Sequence, residues 1–341
     1  MDNIYNYSFM KTPKNKYNKK NNLKTTRKKL YCNPQARKNK ISKNSCFTPK
    51  AIDLLKSFYN QQHPDKKIQS NSSKTILNTL QTITQDTCTN DICLIKSFTT
   101  NKRDESMLKS LLFPPPQPAH WDDDPDAWLS NFDIMDVLNQ YEKTYTNFRF
   151  IGPSSIDYDT KIEISPNKSR CVCKKLCEFQ LNDYIQYSKS KTKQSVEKIG
   201  IIFNMDPHHK NGSHWVSMFI DITENFIFYF DSNGNPIPKQ IKKFSQTVMD
   251  QGKNMNPPKH FELHQNTKTE HQLKNTECGM YCLYFIITML LREKEITYNK
   301  EGGGGTHNKM TKKELFHLFK NTRIPDEFVF GKRDEYFIKS L

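Results

Sequence analysis

Twelve consecutive residues, Met280 to Leu291, carry no charge. A run of that length is long enough for a helix buried on all sides and too short to cross a bilayer, which needs about 20 apolar residues. Immediately before it stands Gln272-Leu273-Lys274-Asn275-Thr276-Glu277-Cys278-Gly279. Cys278 therefore falls at the N-terminal end of the predicted helix. The positive end of the helix dipole there favours thiolate over thiol, and the thiolate is the nucleophilic form. Cys282, one turn on, reads as an ordinary buried cysteine. A nucleophile also needs a base and a donor for the oxyanion it creates.

His214 is the candidate base. Val216 to Asp221 reads as a strand, Ile222 to Asn225 as a turn, and Phe226 to Phe230 as a second strand running into Asp231. A hairpin of this kind sets the start of one strand beside the end of the other. It would bring together His214 and Asp231, 17 positions apart. The carboxylate could then fix the imidazole tautomer and leave the other ring nitrogen to take the thiol proton. An aspartate before Ser232-Asn233-Gly234 also fits an Asx-type turn cap. Six residues before Cys278, Gln272 has a side-chain amide able to donate to a developing oxyanion, with the Cys278 backbone N–H as second donor. Gly279 would let the chain pass close to a substrate.

The ordered set His-Trp, a strand ending in Asp, and Gln-x5-Cys-Gly-Met-Tyr resembles the ubiquitin-like-protein-specific (SUMO) protease superfamily. That superfamily includes the adenovirus and African-swine-fever-type maturation proteases. Upstream, Asp126-Ala127-Trp128-Leu129 resembles the Trp-Leu segment that opens those catalytic domains. The resemblance spans roughly 113–341. It implies an α+β, papain-like/SUMO-protease-type domain with a mainly antiparallel sheet flanked by helices. It implies Cys278 as nucleophile, His214 as general base and acid, Asp231 as orienter and Gln272 as oxyanion donor. It also implies a narrow tunnel for a Gly-Gly segment walled by Trp128 and Trp215; flat aromatic walls select glycine by excluding any Cβ. Glu277 departs from the aspartate often found before the nucleophile. No cofactor or metal is implied.

Charge divides the chain. Residues 1–50 hold 14 Lys and Arg against the single acid Asp2, whereas the other 291 residues hold 38 basic and 35 acidic side chains. Residues 1–47 therefore read as a disordered basic tail, a segment type that binds polyanions such as nucleic acid non-specifically. Residues 48–112 read as a small helical arm, with Thr48-Pro49 opening one helix, Ile76, Leu77, Leu80 and Ile83 marking another, and 91–98 and 105–112 adding short ones. Pro114-Pro115-Pro116-Gln117-Pro118 reads as a stiff spacer at the start of the catalytic domain, 113–341. The nine cysteines show no disulfide framework and suit a reducing compartment. Cys171, Cys173 and Cys177 lack zinc-site pairing and read as core cysteines on a helix. His208 and His209 read as solvent-exposed, and Gly302 to Gly305 as a flexible loop. No segment reads as a signal peptide or membrane span, so the protein is not expected to be secreted. The heavy use of Lys, Asn and Ile fits an AT-rich genome, that of a large DNA virus or of a similarly biased host.

These readings converge on a cysteine endopeptidase cutting after Gly-Gly-type sites, with viral structural polyproteins as substrate and the virion or host cytoplasm as its place of action. The alternatives are an isopeptidase that removes SUMO or ubiquitin, an acetyltransferase with a similar triad, and a non-catalytic packaging protein that binds nucleic acid.

Overall fold

A computed structural model describes residues 31–85, 87–88, 90–185, 195–294 and 309–339. Residues 1–30 of the expected basic tail and the glycines at 302–305 lie outside the described residues. The chain from Tyr31 onward forms one compact unit. Its first elements are the helices α1 (Pro34–Asn39), α2 (Pro49–Gln62), α3 (Ser73–Ile83), α4 (Asp91–Phe98) and α5 (Lys102–Leu112). Each of α1 to α5 is started by a side-chain cap, from Asn33, Thr48, Ser72, Asn90 and Asn101 respectively.

The tail boundary expected at 47 falls inside this folded region. Asn33 caps α1, Pro34 occupies its first turn, Ala36 is buried, and a Cys32–Cys46 disulfide closes the segment. Disulfides also join Cys88 to Cys93 and Cys171 to Cys177. The expectation of nine unpaired cysteines is thereby corrected, and the compartment argument built on it lapses. Local turns bring each pair within bonding reach, which a spacing rule for disulfide frameworks does not capture. Cys171 and Cys177 are not core cysteines on one helix but a strand end tied to a short helix.

Next come α6 (Asn131–Thr144), β1 (Phe148–Ser155), β2 (Lys161–Ser165), β3 (Lys168–Cys171), α7 (Lys174–Cys177), α8 (Leu181–Ile185), β4 (Lys198–Asn204), β5 (Trp215–Asp221) and β6 (Phe226–Phe230). The chain continues through α9 (Lys239–Lys253), β7 (Glu262–Gln265), α10 (Cys278–Leu291), α11 (Lys312–Asn321), α12 (Asp326–Gly331) and α13 (Arg333–Tyr336). The central sheet has the order β1-β4-β5-β6-β7. Its middle pairs, β4–β5 and β5–β6, are antiparallel, and its outer pairs, β1–β4 and β6–β7, are parallel. The architecture is α+β, with the antiparallel centre expected from the hairpin. The parallel outer pairs need long crossovers, and these are supplied by the segment carrying β2, β3, α7 and α8 and by α9.

Every residue of α10 is buried. One face of the sheet packs on α10, including a Phe230–Phe285 ring stack at 4.7 Å. The other face packs on α9 through Ile241, Phe244 and Val248. Gly200 of β4 has no side chain because a Cβ there would stand 2.9 Å from Ile286 of α10. The proline segment is not a free spacer: Gln117 donates to the Ile338 carbonyl and Ile338 to that of Pro115, at 2.8 and 2.9 Å. The start of the catalytic region is thus sewn to its end. Among the described residues no helix is long and apolar enough to cross a membrane.

Candidate active site

Cys278 is the first residue of α10. The leading N–H groups of a helix have no intrahelical partner, so the sulfur sits among unpaired donors at the positive end of the dipole. His214 immediately precedes β5, and Asp231 immediately follows β6. The antiparallel register Ser217↔Phe230 sets these ends side by side. His214 Nε2 lies 2.7 Å from Asp231 Oδ1, and Asp231 is buried. The imidazole also hydrogen-bonds the Cys278 thiol. Burial pulls the His214 pKa down, but hydrogen bonds to Asp231 and Cys278 and their negative charges outweigh it and raise the value to about 9. One helix turn inward, burial pushes the Cys282 thiol far up, so this sulfur stays protonated.

Asp231 is held from behind. The Asn266 side chain accepts from the Asp231 backbone N–H at 3.0 Å and donates to its carbonyl at 2.7 Å. Gln272 is buried and lies against the residue after Asp231: its backbone N–H donates to the Ser232 carbonyl at 3.0 Å. Its side-chain Oε1 accepts from the Ser232 hydroxyl at 2.8 Å, and its Nε2 donates to the Lys274 carbonyl. The chain from 271 to 274 is fixed by two further buried groups. His271 donates from Nε2 to the Phe319 carbonyl and accepts the Ile324 N–H at Nδ1, and burial lowers its pKa to about 4. The Asp326 carboxylate accepts from the N–H of Leu273 at 3.2 Å.

The structure thus gathers His214, Asp231, Gln272 and Cys278. Trp215 is buried and donates from Nε1 to the Leu129 carbonyl at 3.1 Å, while Trp128 is 44% exposed. Gly279 packs against the segment that carries Trp128. A Cβ there would sit 3.1 Å from the Leu129 Cβ, so the glycine makes room for that segment. At the surface, Asp157, His208 and His209 bring potential ligand atoms within 4.8 Å of one another, but both Asp157 oxygens already accept from His208. A cavity of about 1050 Å³ lies between the arm helices, the proline segment and α6, and contains none of the four residues.

Sequence reasoning missed the polar groups behind the site. Glu277, next to the nucleophile, is buried against Arg333 of α13 with N···O distances of 2.7 and 3.2 Å. Arg333 also donates to the Pro125 and Ala127 carbonyls at 2.6 and 3.0 Å and lies over the Trp121 ring at 4.1 Å. Ser232, Asn266 and Arg333 are common residue types far from their partners in sequence, and no spacing rule marks them.

A buried sheet-and-helix scaffold presenting a cysteine, an imidazole and a carboxylate in hydrogen-bonded order defines a cysteine peptidase. The chain belongs to the Ulp1 protease family: the model of its C-terminal catalytic domain matches residues 160–338. The chain is 33% identical over 170 residues to a protein of Acanthamoeba polyphaga mimivirus named as a thiol protease, covering 49% of each. It is 27% identical over 218 residues to an African swine fever virus protein named as a SUMO-1 cysteine protease, covering 61% of this chain and 67% of that protein. The match therefore spans about half the length of the mimivirus relative. The crystal structure of an African swine fever virus protease shares the fold, with a TM-score of 0.58 at 22% identity over 92% of this chain and 98% of that one. That overlap reaches upstream of residue 160 into the arm helices. Membership of a peptidase family favours hydrolysis over acetyl transfer.

Proposed function

We propose that the protein is a cysteine endopeptidase that cleaves after Gly-Gly-type sites in viral structural polyproteins during virion maturation. The observation that carries the reading is the chain of contacts Cys278–His214–Asp231 with Gln272 alongside. Cys278, as thiolate, attacks the carbonyl carbon and forms the C–S bond while the carbonyl electron pair moves to oxygen. Gln272 Nε2–H and the Cys278 backbone N–H stabilise that oxyanion. His214, held protonated and oriented by Asp231, gives its proton to the leaving amine as the C–N bond breaks. It then takes a proton from the water that hydrolyses the thioester. Trp128 and Trp215 serve as walls of the substrate slot. Relatives from two large DNA viruses support the maturation role. The virion or the host cytoplasm is the proposed site of action, and disulfides can persist in virions. The basic segment at the start of the chain is proposed to bind nucleic acid through its charge, which a duplex-DNA titration against salt tests.

A second reading, removal of a folded modifier after its C-terminal Gly-Gly, is favoured by the name of the African swine fever virus relative. Incubation with a panel of Gly-Gly-x peptides and with a SUMO conjugate separates the two. Cleavage of the conjugate alone defeats the maturation reading. Cys278→Ala should abolish turnover, and Gln272→Ala should lower kcat by roughly 100-fold or more. Full activity in Cys278→Ala sinks the whole assignment.

A further inference from the structure

We propose that Ser232 is a positioning residue that sets the rotamer of the Gln272 amide and thereby aims its free N–H at the oxyanion. This rests on the reading of Gln272 as oxyanion donor. A side-chain amide works as a donor only if its nitrogen, not its oxygen, faces the reacting carbonyl, and the two ends are nearly isosteric. Here the surroundings decide. The Lys274 carbonyl can only accept, so the amide end facing it is Nε2. The other end, Oε1, is then left in a buried place where it needs a donor. The Ser232 hydroxyl supplies one at 2.8 Å, with Ser232 1% exposed and Gln272 4% exposed. With Oε1 and one Nε2 hydrogen committed, the second Nε2 hydrogen has a fixed direction.

The backbone of Ser232 adds to this hold. Its carbonyl accepts from the N–H groups of His271 and Gln272 at 2.8 and 3.0 Å. Ser232 also follows directly on Asp231, whose backbone Asn266 grips on both sides. The Asp231-Ser232 pair therefore anchors two parts of the site at once. One residue orients the imidazole, and the next orients the amide. A displacement of this strand end moves both together and keeps their spacing.

Loss of the hydroxyl leaves Oε1 buried without a donor, and the amide keeps one side-chain anchor instead of two. The oxyanion exists only during the chemical step, so the defect belongs in kcat and not in substrate binding. Kinetics on a fluorogenic peptide with Gly-Gly before the scissile bond test this. Ser232→Ala is expected to lower kcat about tenfold, less than deletion of the donor itself, with KM within about twofold of wild type. Ser232→Cys, which keeps a weak donor, should fall between the two. The rate at which iodoacetamide alkylates Cys278 should be unchanged in both, because that reaction forms no oxyanion.

In Gln272→Ala the amide is gone, so adding Ser232→Ala should lower kcat by less than a further twofold. Wild-type kcat in Ser232→Ala, or full additivity with Gln272→Ala, overturns the proposal. So does slowed alkylation in Ser232→Ala, which would place the effect on Asp231 and His214. Wild-type kcat in Gln272→Ala alone instead removes the oxyanion reading itself, and the two failures are told apart by that single variant.

Discussion

Arg333→Ala removes one half of a buried ion pair next to the nucleophile. The side chains of Arg333 and Glu277 are 7% and 2% exposed, and two charged hydrogen bonds join them. Breaking such a pair from one side costs roughly 3–5 kcal/mol, because the remaining charge stays buried without compensation. Total stability of a domain is about 5–15 kcal/mol, so the loss is a large fraction of it. The pH dependence identifies the cause. Burial already holds the Glu277 carboxyl above its ordinary range, against the opposing pull of Arg333. Without the guanidinium the folded-state pKa rises further. A carboxyl with a folded pKa above its unfolded value stabilises the fold below the unfolded pKa and loses that contribution as pH rises through the folded one. The deficit of Arg333→Ala, measured by urea unfolding, should therefore be larger at pH 8 than at pH 5.5. Adding Glu277→Gln should recover a substantial part of it at pH 8. Equal deficits at both pH values, with no recovery from Glu277→Gln, would refute the electrostatic reasoning and leave packing on Trp121 and the two lost carbonyl contacts as the cause.

The His214 pKa of about 9 lies above the usual histidine value of about 6.5, so its contribution is complete below pH 6.5 and lost as pH rises through 9. Stability should decline across that window by on the order of 3 kcal/mol, and His214→Gln should flatten the slope of urea midpoint against pH. A thiol titration of the denatured, unreduced protein should count three free cysteines, Cys173, Cys278 and Cys282, and all nine after reduction. Replacing Cys32 and Cys46 by serine opens a short loop and should cost roughly 3 kcal/mol in chemical unfolding. Phe285→Ala leaves a hole beneath Phe230 in the centre of the core and should cost about 3–5 kcal/mol, measured the same way.

What the sequence revealed follows from where its signals are local. The buried run of α10, the hairpin β5–β6 and the capped helices of the arm each announce themselves within about a dozen residues, through periodicity, turn chemistry or caps. His214, Asp231 and Cys278 were legible because each sits at the end of such an element, and strand and helix ends need little tertiary knowledge to place; Gln272, in the loop before α10, was marked by its spacing from Cys278. α1 was hidden by its basic surroundings, although Asn33-Pro34 is an N-cap followed by proline at the first helical position. Charge composition outweighed that cue. The parallel outer strands and the Arg333–Glu277 contact, 56 residues apart, depend on crossovers that no local pattern encodes.

The arrangement around Trp128 shows how distant parts of the chain can act on one edge of the site. The Ala127 carbonyl is held by Arg333, near the end of the chain. The Leu129 carbonyl is held by the Trp215 indole at the start of β5, and the Leu129 side chain fills the space that Gly279 leaves on α10. Trp128 therefore stands between two fixed carbonyls, yet its own ring remains substantially exposed. A side chain placed this way has a settled backbone and an open face, as a wall for an incoming peptide requires. The hydrogen bonds that fix it do not involve the sulfur or the imidazole. Changes at those anchors should therefore act first on substrate capture and on KM, whereas changes along the Asp231-Ser232-Gln272 line should act on kcat. The two sets meet at the start of α10, where Gly279 and Cys278 are neighbours in the chain, and at the start of β5, where Trp215 follows His214.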